Sequence, residues 1–242
     1  MSVSETGARV PPGGATAERV QAVRRLLLEA CELSGRDPAS VTLIGASKSQ
    51  PVDRLREAWQ AGIRIFGENR VQEALAKMSA LPPETEWHLI GPLQSNKVKK
   101  AVGRFRAVHS VDRLKIARAL ETEALRRETR LQGFLEVNLG REESKHGFLP
   151  DHLIQEVRPL ADLEALEIVG LMAVPPFESE PEAARHWFRE LRRLREELCS
   201  RPEWSGCPGW LSMGMSHDFE IAIEEGATHV RVGSALFGPR PE

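Results

Sequence analysis

Apolar residues along the chain follow two alternating patterns. In the first, Val20, Val23, Leu27 and Ala30 recur at helical spacing, which predicts a helix from about Thr16 to Leu33 that stops at Gly35. The second pattern is a series of short apolar runs: Val41–Ser47, Ile63–Gly67, Trp87–Gly91, Arg106–Val111, Gly133–Asn138, Ile168–Val174, Trp210–Met213 and His229–Gly233. Most lack polar alternation, as strands of a parallel sheet do when both faces are covered. Amphipathic stretches separate them. Pro51 opens one, Val52, Leu55 and Trp59 line its face, and Gly62 ends it. Another begins near Pro181, where Ala184, Trp187, Leu191, Leu194 and Leu198 form a stripe that reads as core packing. About eight strand–helix units result. The expected fold is therefore α/β: a single (β/α)8 TIM barrel with an extra N-terminal helix. An open doubly wound sheet is the alternative.

The 242 residues suit one barrel and are too few for two full domains. No internal repeat or dividing linker is visible. The expected organisation is a loose Ser-, Gly- and Pro-rich tail over residues 1–14 and one barrel domain over 15–242. Hydrophobic content of 41% and charged content of 28% fit a soluble globular protein. The net charge of −2 offers no basic field to nucleic acid, and Lys97-Val98-Lys99-Lys100 reads as a solvated helix face. The three cysteines form no CxxC pair, which argues against a disulfide scaffold or zinc site and for a reducing cytoplasm. No apolar run is long enough to span a bilayer, and no signal core is visible, so no membrane partner is expected. The chain contains no tyrosine.

In such a barrel the chemistry gathers at the C-terminal ends of the strands. Lys48 follows the small, apolar Leu43-Ile44-Gly45-Ala46. If Ile44 and Ala46 face inward, the two-residue period points Lys48 into the barrel mouth. Partial desolvation there would favour the neutral, nucleophilic amine. A surface lysine just past a strand end is an equal reading of the position alone. At the seventh strand, Ser212-Met213-Gly214-Met215-Ser216 precedes a helical pattern from His217 to Glu225, with Ser216 expected as its N-cap. Gly233-Ser234 follows the eighth strand. The two loops together form a candidate phosphate site of backbone N–H groups. The alternative is an ordinary capped helix and a tight turn.

Arg231 shares its strand face with Gly233 and could bond a ring nitrogen, a carboxylate or a neighbouring Glu. Glu68 and Asn69 could hold Lys48 or a ligand, or cap the next helix. His88 reads as a hydrogen-bonded core histidine. His109 and His146 show no metal spacing, and no zinc, Walker, GxSxG or GxGxxG motif is present.

Several of these segments resemble one family. Gly45-Ala46-Ser47-Lys48-Ser49-Gln50-Pro51 is similar to the cofactor-lysine segment of the pyridoxal phosphate homeostasis proteins, also called the proline synthase co-transcribed family. Phe66-Gly67-Glu68-Asn69-Arg70-Val71-Gln72-Glu73 and Trp87-His88-Leu89-Ile90-Gly91 with Leu93-Gln94-Ser95-Asn96-Lys97 resemble its second and third motifs. Ser144-Lys145-His146-Gly147-Phe148, Gly170-Leu171-Met172, Leu211 to Ser216 and Val230 to Gly238 follow in the family's order. The resemblance implies a barrel similar to the alanine racemase N-terminal domain. It also implies pyridoxal 5′-phosphate as cofactor, held as a Schiff base on Lys48. By the same resemblance Ser212, Ser216, Gly233 and Ser234 surround the phosphate and Arg231 faces the pyridine nitrogen, with Asn69 a further cofactor contact. Pro92 departs from the family's usual His, and Ser234 from its usual Thr with the hydroxyl kept.

The resemblance points to a cytoplasmic protein that carries or buffers the cofactor in vitamin B6 homeostasis, and indirectly in amino-acid balance. No committed reaction is expected. Apo-enzymes that use the cofactor are candidate recipients, and a monomer is the expected state. The alternatives are a cofactor-dependent racemase or decarboxylase and a lysine aldolase without cofactor. A racemase needs acid–base groups on both faces of its substrate carbanion. Relatives of this fold use a lysine and a tyrosine, and no tyrosine exists here.

Overall fold

The structure is a computed structural model that describes residues 15–239. The expected tail over residues 1–14 lies outside the described residues. Eight strands run in parallel: β1 (Thr42–Ala46), β2 (Ile65–Glu68), β3 (Glu86–Leu89), β4 (Ala107–Val111), β5 (Leu131–Glu136), β6 (Leu166–Met172), β7 (Trp210–Ser212) and β8 (His229–Val232). They pair in sequence order, and β8 pairs back onto β1, so the sheet closes into a barrel. The open-sheet alternative is thereby excluded. Strands β5 and β6 each begin two residues before the apolar runs that announced them. Gln132 and Glu167, which pair across the two strands, interrupt the apolar signal there.

The helices are α1 (Thr16–Leu33), α2 (Val52–Gln60), α3 (Val71–Met78), α4 (Val98–Ala101), α5 (Leu114–Arg126), α6 (Leu153–Val157), α7 (Arg185–Cys199), α8 (Phe219–Glu224) and α9 (Ser234–Phe237). The bounds of α1 are those predicted. It packs against α2, α8 and α9. The helix after β8 is a single turn, too short to cover its strand, so α1 completes the outer ring at the β8–β1 junction. Arg24 ties α1 to the end of α2 through Gly62 O at 2.7 Å.

Apolar side chains divide between the two surfaces of the sheet. The large core lies between strands and helices, with Phe66, Trp87, Leu135, Leu171, Leu211 and Val230 facing outward. A second cluster of Ala107, Phe134, Val169 and Met172, with Trp210 against it, lies inside the barrel. Two glycines are required by this closure. A Cβ at Gly170 would lie 1.9 Å from the Trp210 carbonyl oxygen of the adjacent strand. Gly214 has φ +90°, and a Cβ there would lie 2.5 Å from that of Ala222, so the loop after β7 reaches α8 only through glycine. Among the described residues no helix is long and apolar enough to cross a membrane.

Candidate functional site

Ile44 and Ala46 are buried and belong to neither face of the outer core, and a Cβ on Gly67 of β2 would strike Ile44 inside the barrel. They therefore point inward. Lys48, two residues beyond Ala46, stands half-buried at the C-terminal mouth on the same alternation. Ser49 next to it has φ 60°, so the chain turns sharply away from the strand just after the lysine.

The backbone below Lys48 is held from outside the barrel wall. Glu68 is completely buried, and its Oε1 accepts from Lys77 Nζ at 2.6 Å and from Ser47 Oγ at 2.8 Å. Lys77 Nζ also donates to Ser47 O at 2.8 Å. Glu68 thus neither caps a helix nor reaches the mouth. It anchors the residue before Lys48 through an ion pair with α3. Asn69 stands half-buried at the end of β2, the strand beside β1, with its backbone packed closely under Gly91.

The loops after β7 and β8 meet. Ser216 Oγ accepts from Gly233 N at 3.0 Å and from Ala235 N at 3.2 Å. Two backbone donors therefore converge on one oxygen, a geometry that also suits an anion oxygen. The expected N-cap role of Ser216 is corrected by this contact. The helix is shorter than the pattern suggested, Phe219–Glu224 with Asp218 at its N-cap position, and Asp218 Oδ1 accepts from Met215 N at 2.6 Å. That bond closes a turn over residues 215–218 and delays the helix. Ser234, the first residue of α9, is exposed to solvent at the mouth. Gly233 adjoins β1: a Cβ there would meet Ala46 O at 3.4 Å. The converging donors are therefore neighbours of the strand that carries Lys48.

Arg231 lies below this loop, buried, and points inward. Its Nη1 donates to Ser212 O at 2.7 Å and to Ser212 Oγ at 2.5 Å, and its Nη2 donates to Ala173 O at 2.8 Å. Burial lowers its pKa to about 10, against the attraction of Asp218 and Glu136. Of the residues singled out in the sequence, the structure brings Lys48, Ser216, Gly233 and Ser234 to one sector of the mouth. It places Ser212 with Arg231 inside the barrel, apart from the Ser216 donors.

Three inward residues carried no distinctive sequence signal. Glu136 ends β5 with Oε2 buried and unpaired, and burial, reinforced by Asp112, pushes its pKa up to about 7. His109 is fully buried, and burial holds it well below the ordinary histidine range. Glu86 opens β3 and bonds His88, which lowers the pKa of its carboxyl. Only the inward phase of their strands, readable once Ala107 and Phe134 are known to face the interior, could have singled them out. Among the described residues no group of three or more His, Cys, Asp or Glu is placed to hold a metal ion.

The fold and the lysine-bearing mouth define a barrel of the alanine racemase type, and the family described as alanine racemase, N-terminal domain, matches residues 46–241. A protein of Aquifex aeolicus named pyridoxal phosphate homeostasis protein is 44% identical over 224 residues, covering 92% of this chain and 97% of its own. The protein of that name from Pseudomonas aeruginosa is 44% identical over 225 residues, covering 93% and 95%. PipY of Synechococcus elongatus, solved with PLP bound, superposes with a TM-score of 0.80 at 38% identity, covering 92% of this chain and 100% of that one. The chain belongs to the pyridoxal phosphate homeostasis protein family.

Proposed function

We propose that this protein binds pyridoxal 5′-phosphate at the barrel mouth, covalently through Lys48, and manages the cofactor without a committed reaction of its own. One observation carries the reading: the donors converging on Ser216 adjoin Ala46, two residues from Lys48. A phosphate and an aldehyde on one small molecule are served by such a pair of neighbours. The bound state of PipY and the names of the relatives support the same ligand.

The residues present fit the group. Ser216 Oγ, which accepts from the Gly233 and Ala235 N–H groups, would give its own hydrogen to the phosphate beside the hydroxyl of Ser234. Arg231 would stand under the ring as a buried cation that disfavours protonation of the pyridine nitrogen. Asn69 would border the ring from β2. Ser212 acts through Arg231, whose guanidinium it holds. When bound, the cofactor supplies an aldehyde able to condense with amines and a ring able to accept electrons. Arg231 weakens the second property, and the chain offers no tyrosine as a second acid–base group. Lys48 is half-buried and Ser234 exposed, so solvent reaches the mouth, which suits loading and release better than carbanion chemistry.

Two measurements test this. Pyridoxal phosphate should bind more tightly than pyridoxal, and Ser216→Ala with Ser234→Ala should weaken binding by roughly 1–3 kcal/mol, at about 1 kcal/mol per lost hydrogen bond. The loaded protein should leave each common amino acid unchanged. Racemisation, decarboxylation or transamination at roughly 1 per second or faster would replace the carrier by an enzyme.

A further inference from the structure

Barrels of this fold are usually filled by layers of branched apolar side chains. Here β3, β4, β7 and β8 send Glu86, His88, His109, Ser212, His229 and Arg231 into the interior. Four hydrogen bonds join five of them in one line. Glu86 Oε1 meets His88 Nε2 at 2.8 Å, His88 Nδ1 meets His109 Nε2 at 2.9 Å, His109 Nδ1 meets Ser212 Oγ at 2.7 Å, and Ser212 Oγ meets Arg231 Nη1 at 2.5 Å. The line begins at the first residue of β3, where the Glu86 side chain is 41% exposed. It ends at Arg231, beneath the opposite mouth. His229 flanks it, with its Nδ1 2.9 Å from Thr228 Oγ1.

One assignment of the hydrogens satisfies every bond in the line. A guanidinium only donates, so Ser212 Oγ accepts from Arg231 and keeps its own hydrogen to give to His109 Nδ1. His109 is neutral through burial, so its hydrogen sits on Nε2 and goes to His88 Nδ1. A carboxylate only accepts, so His88 Nε2 carries the hydrogen that Glu86 receives. All four bonds point the same way, and bonds aligned in a dry interior polarise one another. An interior polar line is costly unless each member is satisfied, and each of these is.

We infer that Glu86, His88, His109 and Ser212 are positioning residues for Arg231, a hydrogen-bonded line that fixes its guanidinium from the far end of the barrel. The line stands on the hydrogen bonds alone. Its consequence for a ligand rests on the proposed function, in which Arg231 lies under the cofactor ring.

Nitrogen-15 NMR of the histidine rings tests the line in the cofactor-free protein. His88 and His109 should both appear as fixed Nε2–H tautomers with acceptor Nδ1 atoms. An Nδ1–H tautomer at either ring, or exchange between the two forms, overturns the inference. His109→Phe then cuts the line. The ring of Phe134 stacks on His109 at 4.2 Å, so an aromatic replacement keeps the packing. It should weaken pyridoxal phosphate binding by about tenfold, the scale of one hydrogen bond to a charged group, and shift the absorption of the bound cofactor. Glu86→Gln keeps an acceptor for His88 and removes the charge at a half-exposed rim. This milder variant should move the His88 and His109 resonances and the cofactor absorption without loss of fold. Wild-type affinity and absorption in both variants overturn the inference. A wild-type protein with the stated tautomers that takes up no pyridoxal phosphate overturns the proposed function instead and leaves the line standing.

Discussion

Replacing Lys77 by Met removes the counter-ion of a carboxylate that has no contact with water. Glu68 is completely buried, and its Oε2 has no hydrogen-bond partner. Its Oε1 relies on Lys77 Nζ at 2.6 Å and Ser47 Oγ at 2.8 Å. The variant loses two hydrogen bonds, each worth about 1 kcal/mol net. The larger effect is the charge left behind, and removing one partner of a buried pair costs about 3–5 kcal/mol in all. That is a large share of the roughly 5–15 kcal/mol that holds a domain together. Lys77 also holds the carbonyl of Ser47, so binding at Lys48 should weaken in parallel. The assay is urea unfolding at neutral pH on the wild type, Lys77→Met and the double variant Glu68→Gln, Lys77→Met. The double variant should lose less than the single one, because no charge is left buried. A single variant that loses under about 1 kcal/mol, or a double variant that loses more, refutes the reasoning.

Gly214→Ala forces a side chain onto φ +90° with its Cβ 2.5 Å from that of Ala222, so thermal denaturation should show a loss of about 2 kcal/mol or more, and an unchanged midpoint would contradict the strain. Glu136 keeps its proton in the folded state up to a pKa of about 7, whereas the unfolded chain loses it near 4.5. Folded protein therefore binds more protons across that window, and this group's stabilising contribution is full below it and falls as pH rises through it, by up to about 3 kcal/mol. The stability difference between wild type and Glu136→Gln should track that fall, and a difference independent of pH would contradict it.

Most of the architecture was legible because parallel strands buried on both faces read as short apolar runs. Eight such runs became eight strands, and the α1 stripe ended where Gly35 said it would. The failures have local causes. Gln132 and Glu167 hid the first residues of β5 and β6, and Asp218 closed a turn where the pattern continued a helix. The role of α1 as a member of the ring depends on α9 being one turn long, which no periodicity announces.

The mouth was legible for a different reason. Lys48 and Gly233 lie just past the ends of β1 and β8, positions that the two apolar runs mark in the sequence. In the sequence Ser212 reads as an anion ligand of the seventh loop region. Its inward phase also brings it to Arg231 and His109, which the sequence did not show. The interior histidine line was invisible because its partners come from β3, β4, β7 and β8, and register between strands far apart in sequence is set only when the barrel closes.

Reduction with borohydride tests the attachment of the cofactor to Lys48. The protein is incubated with pyridoxal phosphate, reduced, digested and mapped by mass spectrometry. One phosphopyridoxyl group is expected on the peptide that carries Lys48, and none in Lys48→Ala. Labelling confined to Lys97 or Lys145 with Lys48 untouched, or no labelling at all, would contradict it.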